Sequence, residues 1–209
     1  MARSIADAHH WMREGTELFL AAADGLTEPA FDTASPLPGW TRRHLVAHVA
    51  SNADALGNLV HWAATGEATP MYASPEDRAA GIERGPRMSG PELTGWLTRS
   101  CAALRTAMEA LTERQWRNEV VTAQGRTVPA TEVPWLRSRE VFVHAVDMDR
   151  GVSFADLPGD FLRALVRDIA AKRGLGTSSL PAGPLPEVAA WLAGRPHSLT
   201  GPPRLDPWL

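Results

Sequence analysis

Cysteine is what this sequence has least of: one residue in 209, Cys101. A single thiol excludes an internal disulfide and any zinc site built on several cysteines. Chemistry that needs a thiolate must take it from Cys101 or from a small molecule. Lysine is as scarce, with Lys172 alone among the 21 basic residues. No apolar run approaches the roughly 18 residues that would read as a membrane span. The first ten positions already carry Arg3, Asp7, His9 and His10, so no signal-peptide core forms. An excess of positive charge is also missing: 21 basic against 24 acidic side chains leave a formal charge of −3. A nucleic-acid binder needs a basic surface to neutralise phosphates, and this balance argues against one. There is no glycine-rich phosphate loop, no internal repeat and no distinctive Ser–His–Asp ordering. These absences predict a cytoplasmic protein with neither nucleic-acid nor membrane partners, working as a monomer or a dimer.

What is present is ordinary globular material. Apolar residues at 44% and charged residues at 22% are enough for a packed core. The first 150 residues read as helical. Ile5, Ala8, Trp11, Met12, Leu18 and Phe19 give a helix over 4–24. Thr41 is a suitable N-cap for a second, with a stripe of Leu45, Val49, Leu56, Leu59 and Ala63 running to Thr65-Gly66. Residues 66–90 are rich in proline and glycine and predict a long crossover with one short helix after Ser74-Pro75; such long connections are often functional. Ser89 and Glu92 form the signature of a capping box, opening a third helix to about Leu111. Val120-Val121-Thr122 and Arg126-Thr127-Val128 flank a turn and predict a small hairpin. A fourth helix starts at Pro134 and runs to Arg150-Gly151. Four helices with one long crossover predict a mainly α protein, an antiparallel four-helix bundle over 1–155. Residues 156–209 read as a small C-terminal α+β subdomain, with helices over 160–172 and 187–193.

Glu140 and His144 are four residues apart on the fourth helix, which puts them on one face with Cβ atoms about 5–6 Å apart. An oxygen and an imidazole so placed can chelate one metal ion, given a third ligand from another helix. His48 is the best candidate, since it falls about 60° from the centre of its helix's apolar stripe and so faces the bundle interior. His44 lies nearer 100° away by the same count and follows two arginines, which predicts a solvated side chain. Two imidazoles and one carboxylate leave a coordination position open, as catalytic sites do. The set suits zinc and also non-haem iron. Asp147, three after His144, is positioned to accept the free ring N–H of a ligand histidine. The bland alternative is a surface Glu–His pair and a core histidine. His9-His10 read as a solvated helix start, Cys101 as a buried inert thiol, and Trp62 or Trp96 as candidate pocket walls.

Two segments carry a family resemblance. Pro38-Gly39-Trp40-Thr41-Arg42-Arg43-His44-Leu45-Val46-Ala47-His48-Val49 resembles the second helix of the mycothiol-dependent maleylpyruvate isomerases, within the DinB-like group of metal-binding bundles. Residues 134–148, Pro-Trp-Leu-Arg-Ser-Arg-Glu-Val-Phe-Val-His-Ala-Val-Asp-Met, resemble that family's fourth helix. The resemblance implies a divalent metal, usually zinc, on His48, Glu140 and His144, and mycothiol as the external thiol. It also implies a basic active-site residue from the C-terminal part, which in Trp191-Leu192-Ala193-Gly194-Arg195-Pro196 makes Arg195 the candidate. An arginine there could equally serve the end of a helix.

The expected activity is cis–trans isomerisation of maleylpyruvate or a related cis-enoyl acid, with Arg195 pairing a substrate carboxylate. A mycothiol S-transferase acting on a small electrophile would share the same early steps. A non-catalytic metal-binding or regulatory bundle is the alternative of another class.

Overall fold

A computed structural model describes residues 3–208. Four helices form the bundle: α1 (Ile5–Ala23), α3 (Arg42–Thr65), α5 (Gly90–Glu109) and α6 (Val133–Asp147). A single turn, α2 (Glu28–Phe31), precedes α3, and α4 (Pro75–Arg84) lies within the crossover. Each long helix starts where local chemistry says it should. The Ser4 hydroxyl accepts from the Asp7 amide at 3.1 Å, and Asp7 Oδ2 accepts from the Ser4 amide at 2.8 Å. Ser89 and Glu92 form the box predicted for α5. At α3 the box takes an unusual form, with His44 Nδ1 accepting from the Thr41 amide at 3.2 Å. His44 is therefore half-buried and held by the cap, not solvated as its spacing suggested.

Helix α1 packs on α6, α3 packs on α5, and α3 meets α6. The first contact is close because Gly15 has no side chain; a Cβ there would stand 2.6 Å from Val141 Cγ2 and 3.0 Å from the Phe142 ring. Two arginines fix the α3 end of the bundle. Arg43, only 6% exposed, donates to Asp32, Glu28 and the Met88 carbonyl. Arg42 donates to the Met148 and Asp149 carbonyls at 2.7 and 3.0 Å. It thus caps the C-terminal end of α6, where unpaired carbonyls favour a cation. That clasp sets the first turns of α3 beside the second half of α6, where His48, Glu140 and His144 sit.

The predicted hairpin is present. β1 (Glu119–Val121) and β2 (Thr127–Pro129) pair antiparallel with Val120 opposite Val128, and Gly125 takes the turn at φ +74°. These are the only strands among the described residues. The strand component expected after residue 156 is absent there: that region folds as α7 (Gly159–Lys172), α8 (Leu185–Leu192) and an extended proline-rich tail. Proline supplies no amide donor, so a stretch with four prolines between 196 and 207 makes a poor strand. The C-terminal helices share a core with the outer faces of α1 and α6. Trp11, Trp135, Phe142 and Phe161 interlock there with ring centroids 4.4–5.9 Å apart. Each large ring so buried contributes on the order of 2–3 kcal/mol. The tail returns to the bundle: the Trp208 amide donates to Ala193, and its ring lies under the Arg139 and Lys172 cations. No described helix is long and apolar enough to cross a membrane.

Candidate metal centre

His48 projects from α3, and Glu140 and His144 from α6, into one place. One candidate ligand atom from each lies within 4.8 Å of the others. His48 Nε2 is 3.0 Å from Glu140 Oε2, and His144 Nε2 is 3.3 Å from the same oxygen. The two imidazoles meet edge to face, with centroids 4.9 Å apart. All three side chains are withdrawn from water, Glu140 being the most open at 13%. Trp40 covers His48 edge-on at 5.3 Å.

Behind the three lies a fixed chain of hydrogen bonds. His144 Nδ1 meets Asp147 Oδ2 at 2.8 Å. Asp147 in turn receives Arg195 through Nε at 3.1 Å and Nη2 at 2.8 Å, and Arg195 Nη1 donates to the Ala193 carbonyl at 2.7 Å. Asp147 and Arg195 are 1% and 5% exposed. Asp147 thus meets His144, three residues before it on the same face. Arg195, read from the sequence as a hand for a substrate carboxylate, turns its fork to Asp147. It also lines a cavity of about 590 Å³ with Leu37, Trp191, His197, Arg204 and Asp206.

The electrostatics follow from this packing. Burial pushes the His48 imidazole down, outweighing the pull of Glu140, and so favours its neutral form. Burial would raise the Glu140 carboxyl, but the imidazoles of His144 and His48 beside it hold it well below the usual carboxylate range. Burial likewise opposes the charged form of His144, yet Asp147 and Glu140 overcome it and raise the ring. Asp147 ends below its ordinary value because His144 and Arg195 outweigh its desolvation.

The donor set fits a divalent cation on a specific observation. His144 Nε2 is buried and has no hydrogen-bond partner. A buried polar atom without a partner is costly, and in a native protein it calls for an explanation. Asp147 on Nδ1 fixes the tautomer that leaves the Nε2 lone pair facing Glu140 and His48. Two imidazoles and a carboxylate are borderline-soft and hard donors that suit zinc, and three ligands leave room for a fourth.

Other sequence readings shift. Cys101 is half-buried, not buried. Its sulfur receives Arg137 Nη2 at 3.1 Å and lines a cavity of about 260 Å³ between α1 and α5, away from the three candidate ligands. Trp96 donates to Asp54 and carries the Arg84 cation, so the tryptophan at the centre is Trp40, not Trp62 or Trp96. His9 is half-buried against the edge of Trp116. Tyr72 and Arg78, from the crossover, border the site electrostatically and were not singled out by pattern. The one available signal was the length of that connection.

The profile of the mycothiol maleylpyruvate isomerase N-terminal domain matches residues 12–149. No curated protein matches the sequence. Among solved structures, the crystal structure of the mycothiol-dependent maleylpyruvate isomerase is 38% identical, covers 99% of this chain and 98% of that one, and superposes with a TM-score of 0.89. A histidine-to-alanine mutant of that isomerase is 37% identical over the same shares, with a TM-score of 0.88. This chain belongs to the mycothiol-dependent maleylpyruvate isomerase family, a family of enzymes.

Proposed function

We propose that the protein isomerises maleylpyruvate, or a closely related cis-enoyl acid, with mycothiol as the nucleophile and a divalent metal, most simply zinc, on His48, Glu140 and His144. The observation that carries this reading is the orphaned Nε2 of His144, aimed at Glu140 and His48 in a chain of this family. A bound divalent cation would supply Lewis acidity that keeps a thiol deprotonated at neutral pH. The chain's own residues do the rest. His48 stays neutral because it is buried, and Glu140 stays ionised because two imidazoles face it. Asp147 holds the His144 ring in one tautomer, and Arg195 holds Asp147. Trp40 and the buried walls exclude water from the thiolate. Arg195 serves as the basic residue through Asp147, and any direct hold on substrate falls to the Nη2 proton not used there. The cavity of about 590 Å³ beside Arg195 is large enough for the glycoside part of mycothiol.

In the reaction, the thiolate sulfur bonds to one alkene carbon and the π electrons move toward the adjacent carbonyl. The former double bond, now single, rotates. The electrons return, the carbon–sulfur bond breaks, and the trans product and the thiolate are released with no net change in protons. The test is conversion of maleylpyruvate to fumarylpyruvate by metal-loaded protein with and without mycothiol. Thiol-dependent, catalytic conversion supports the reading. Stoichiometric consumption of mycothiol with a conjugated product would make the protein an S-transferase. No reaction and no thiol binding would leave a metal-binding bundle without catalysis.

A further inference from the structure

The crossover between α3 and α5 is fastened onto α3 at two places, the second on the turn that carries His48. Asn58 Nδ2 donates to the Pro70 and Met71 carbonyls at 3.2 and 3.3 Å and pins its first half. Helix α4 pins the second. A Cβ on Gly81 would stand 2.6 Å from Ser51 Oγ, and one on Gly85 would stand 2.4 Å from Ala47 Cβ. Ala47 precedes His48 directly and Ser51 follows it by three residues, so both contacts lie on its turn. The two glycines make that approach feasible, and they leave α4 lying across α3 beside the three ligands.

Between the anchors stand Tyr72 and Arg78. Arg78 is three before Gly81, on the face that α4 turns to α3, and its side chain is exposed. Its charge acts on the half-buried Tyr72 and on His48. Tyr72 lies in the field of Glu140. Its phenol carries a hydrogen to give. The other arginines around the centre are committed. Arg195 holds Asp147, Arg42 caps α6, and Arg137 donates to Val49, Asn52 and Cys101.

We propose that Arg78 and Tyr72 form the carboxylate-receiving part of this site, Arg78 pairing with one carboxylate of a small dicarboxylic acid and the Tyr72 hydroxyl donating to the same group. This rests on the isomerase reading for the identity of the substrate class, and the structure supplies the residues. Arginine suits the task because its fork matches a carboxylate in two parallel hydrogen bonds. The position suits it as well, since an acid held there presents its remaining atoms to the centre formed by His48, Glu140 and His144.

The test is calorimetric titration of the zinc-loaded full chain with maleate, a dicarboxylate that lacks the keto group. Wild type is compared with Arg78→Ala, Arg78→Lys, Tyr72→Phe and Arg84→Ala, the last removing an equal charge that α4 points at Trp96. Loss of the charged pair should weaken maleate by about ten- to a hundredfold, with partial recovery in Arg78→Lys. Tyr72→Phe should weaken it about three- to tenfold. Arg84→Ala should match wild type, and zinc content and mycothiol affinity should stay constant throughout. Unchanged maleate affinity in Arg78→Ala, or a wild type that takes up no maleate, overturns the proposal. A wild type that binds maleate through Arg78 but does not turn over maleylpyruvate keeps the proposal and removes the isomerase reading instead.

Discussion

Replacing Asp147 by alanine cuts the chain that links the C-terminal tail to the centre. The carboxylate accepts three hydrogen bonds, from His144 Nδ1 at 2.8 Å and from Arg195 at 3.1 and 2.8 Å. Both donors and the acceptor are at most 5% exposed. Removing it leaves the Arg195 guanidinium buried without its counter-charge, a loss of about 3–5 kcal/mol where one partner of a buried pair is deleted. Against a total stability of about 5–15 kcal/mol, the variant should still fold in the cold. The second consequence falls on His144. Without Asp147 its tautomer is no longer fixed, and zinc affinity should fall by about ten- to a hundredfold. Urea unfolding in excess chelator isolates the first effect, and competition against a chromogenic chelator isolates the second. Arg195→Met should be destabilising by itself. The double variant should lose clearly less than the sum of the singles, because neither charge is then left alone. An Asp147→Ala protein within about 1 kcal/mol of wild type, with unchanged zinc affinity, would refute the reasoning.

Other outcomes follow from the same packing. Gly15→Ala should cost about 1–3 kcal/mol, measured as a drop in the urea midpoint, because its methyl overlaps Val141 and Phe142. Asp168 accepts from Arg139 at 2.9 Å and Lys172 at 3.0 Å, and these cations outweigh burial to hold its carboxyl below the ordinary value. Its contribution is therefore present above the unfolded carboxylate value of about 3.9 and is lost as pH falls through the depressed one. Asp168→Asn should cost about 1–3 kcal/mol at neutral pH, and its stability curve should converge on wild type in acid. Zinc affinity should rise with pH through the raised value of His144, because the metal and a proton compete for Nε2; a pH-independent affinity would argue against that ligand.

Local signals carried most of the bundle. Thr41 and Ser89 announce two helix starts by their own side-chain chemistry, and the apolar stripes fix which faces turn inward. The convergence of the three candidate ligands was legible for the same reason: Glu140 and His144 share a face by spacing, and His48 sits at the edge of a stripe. The contacts that were not legible join residues distant in the chain. Arg43 has the composition of a surface residue and is buried because Glu28, Asp32 and Met88 surround it. The bond between Arg195 and Asp147 spans 48 residues and depends on the tail folding back under Trp208. Tyr72 and Arg78 reach the centre through Gly81 and Gly85, whose value lies in the close approach they allow and leaves no mark in periodicity.

Metal content measured by mass spectrometry on purified protein, wild type beside His48→Ala, tests the central claim most directly. The arrangement of His48, Glu140 and His144 predicts about one divalent ion per wild-type chain and a large loss in the variant, with helix content preserved, as three converging ligands require. Equal metal content in the two proteins, or none in wild type after exposure to zinc, would contradict it.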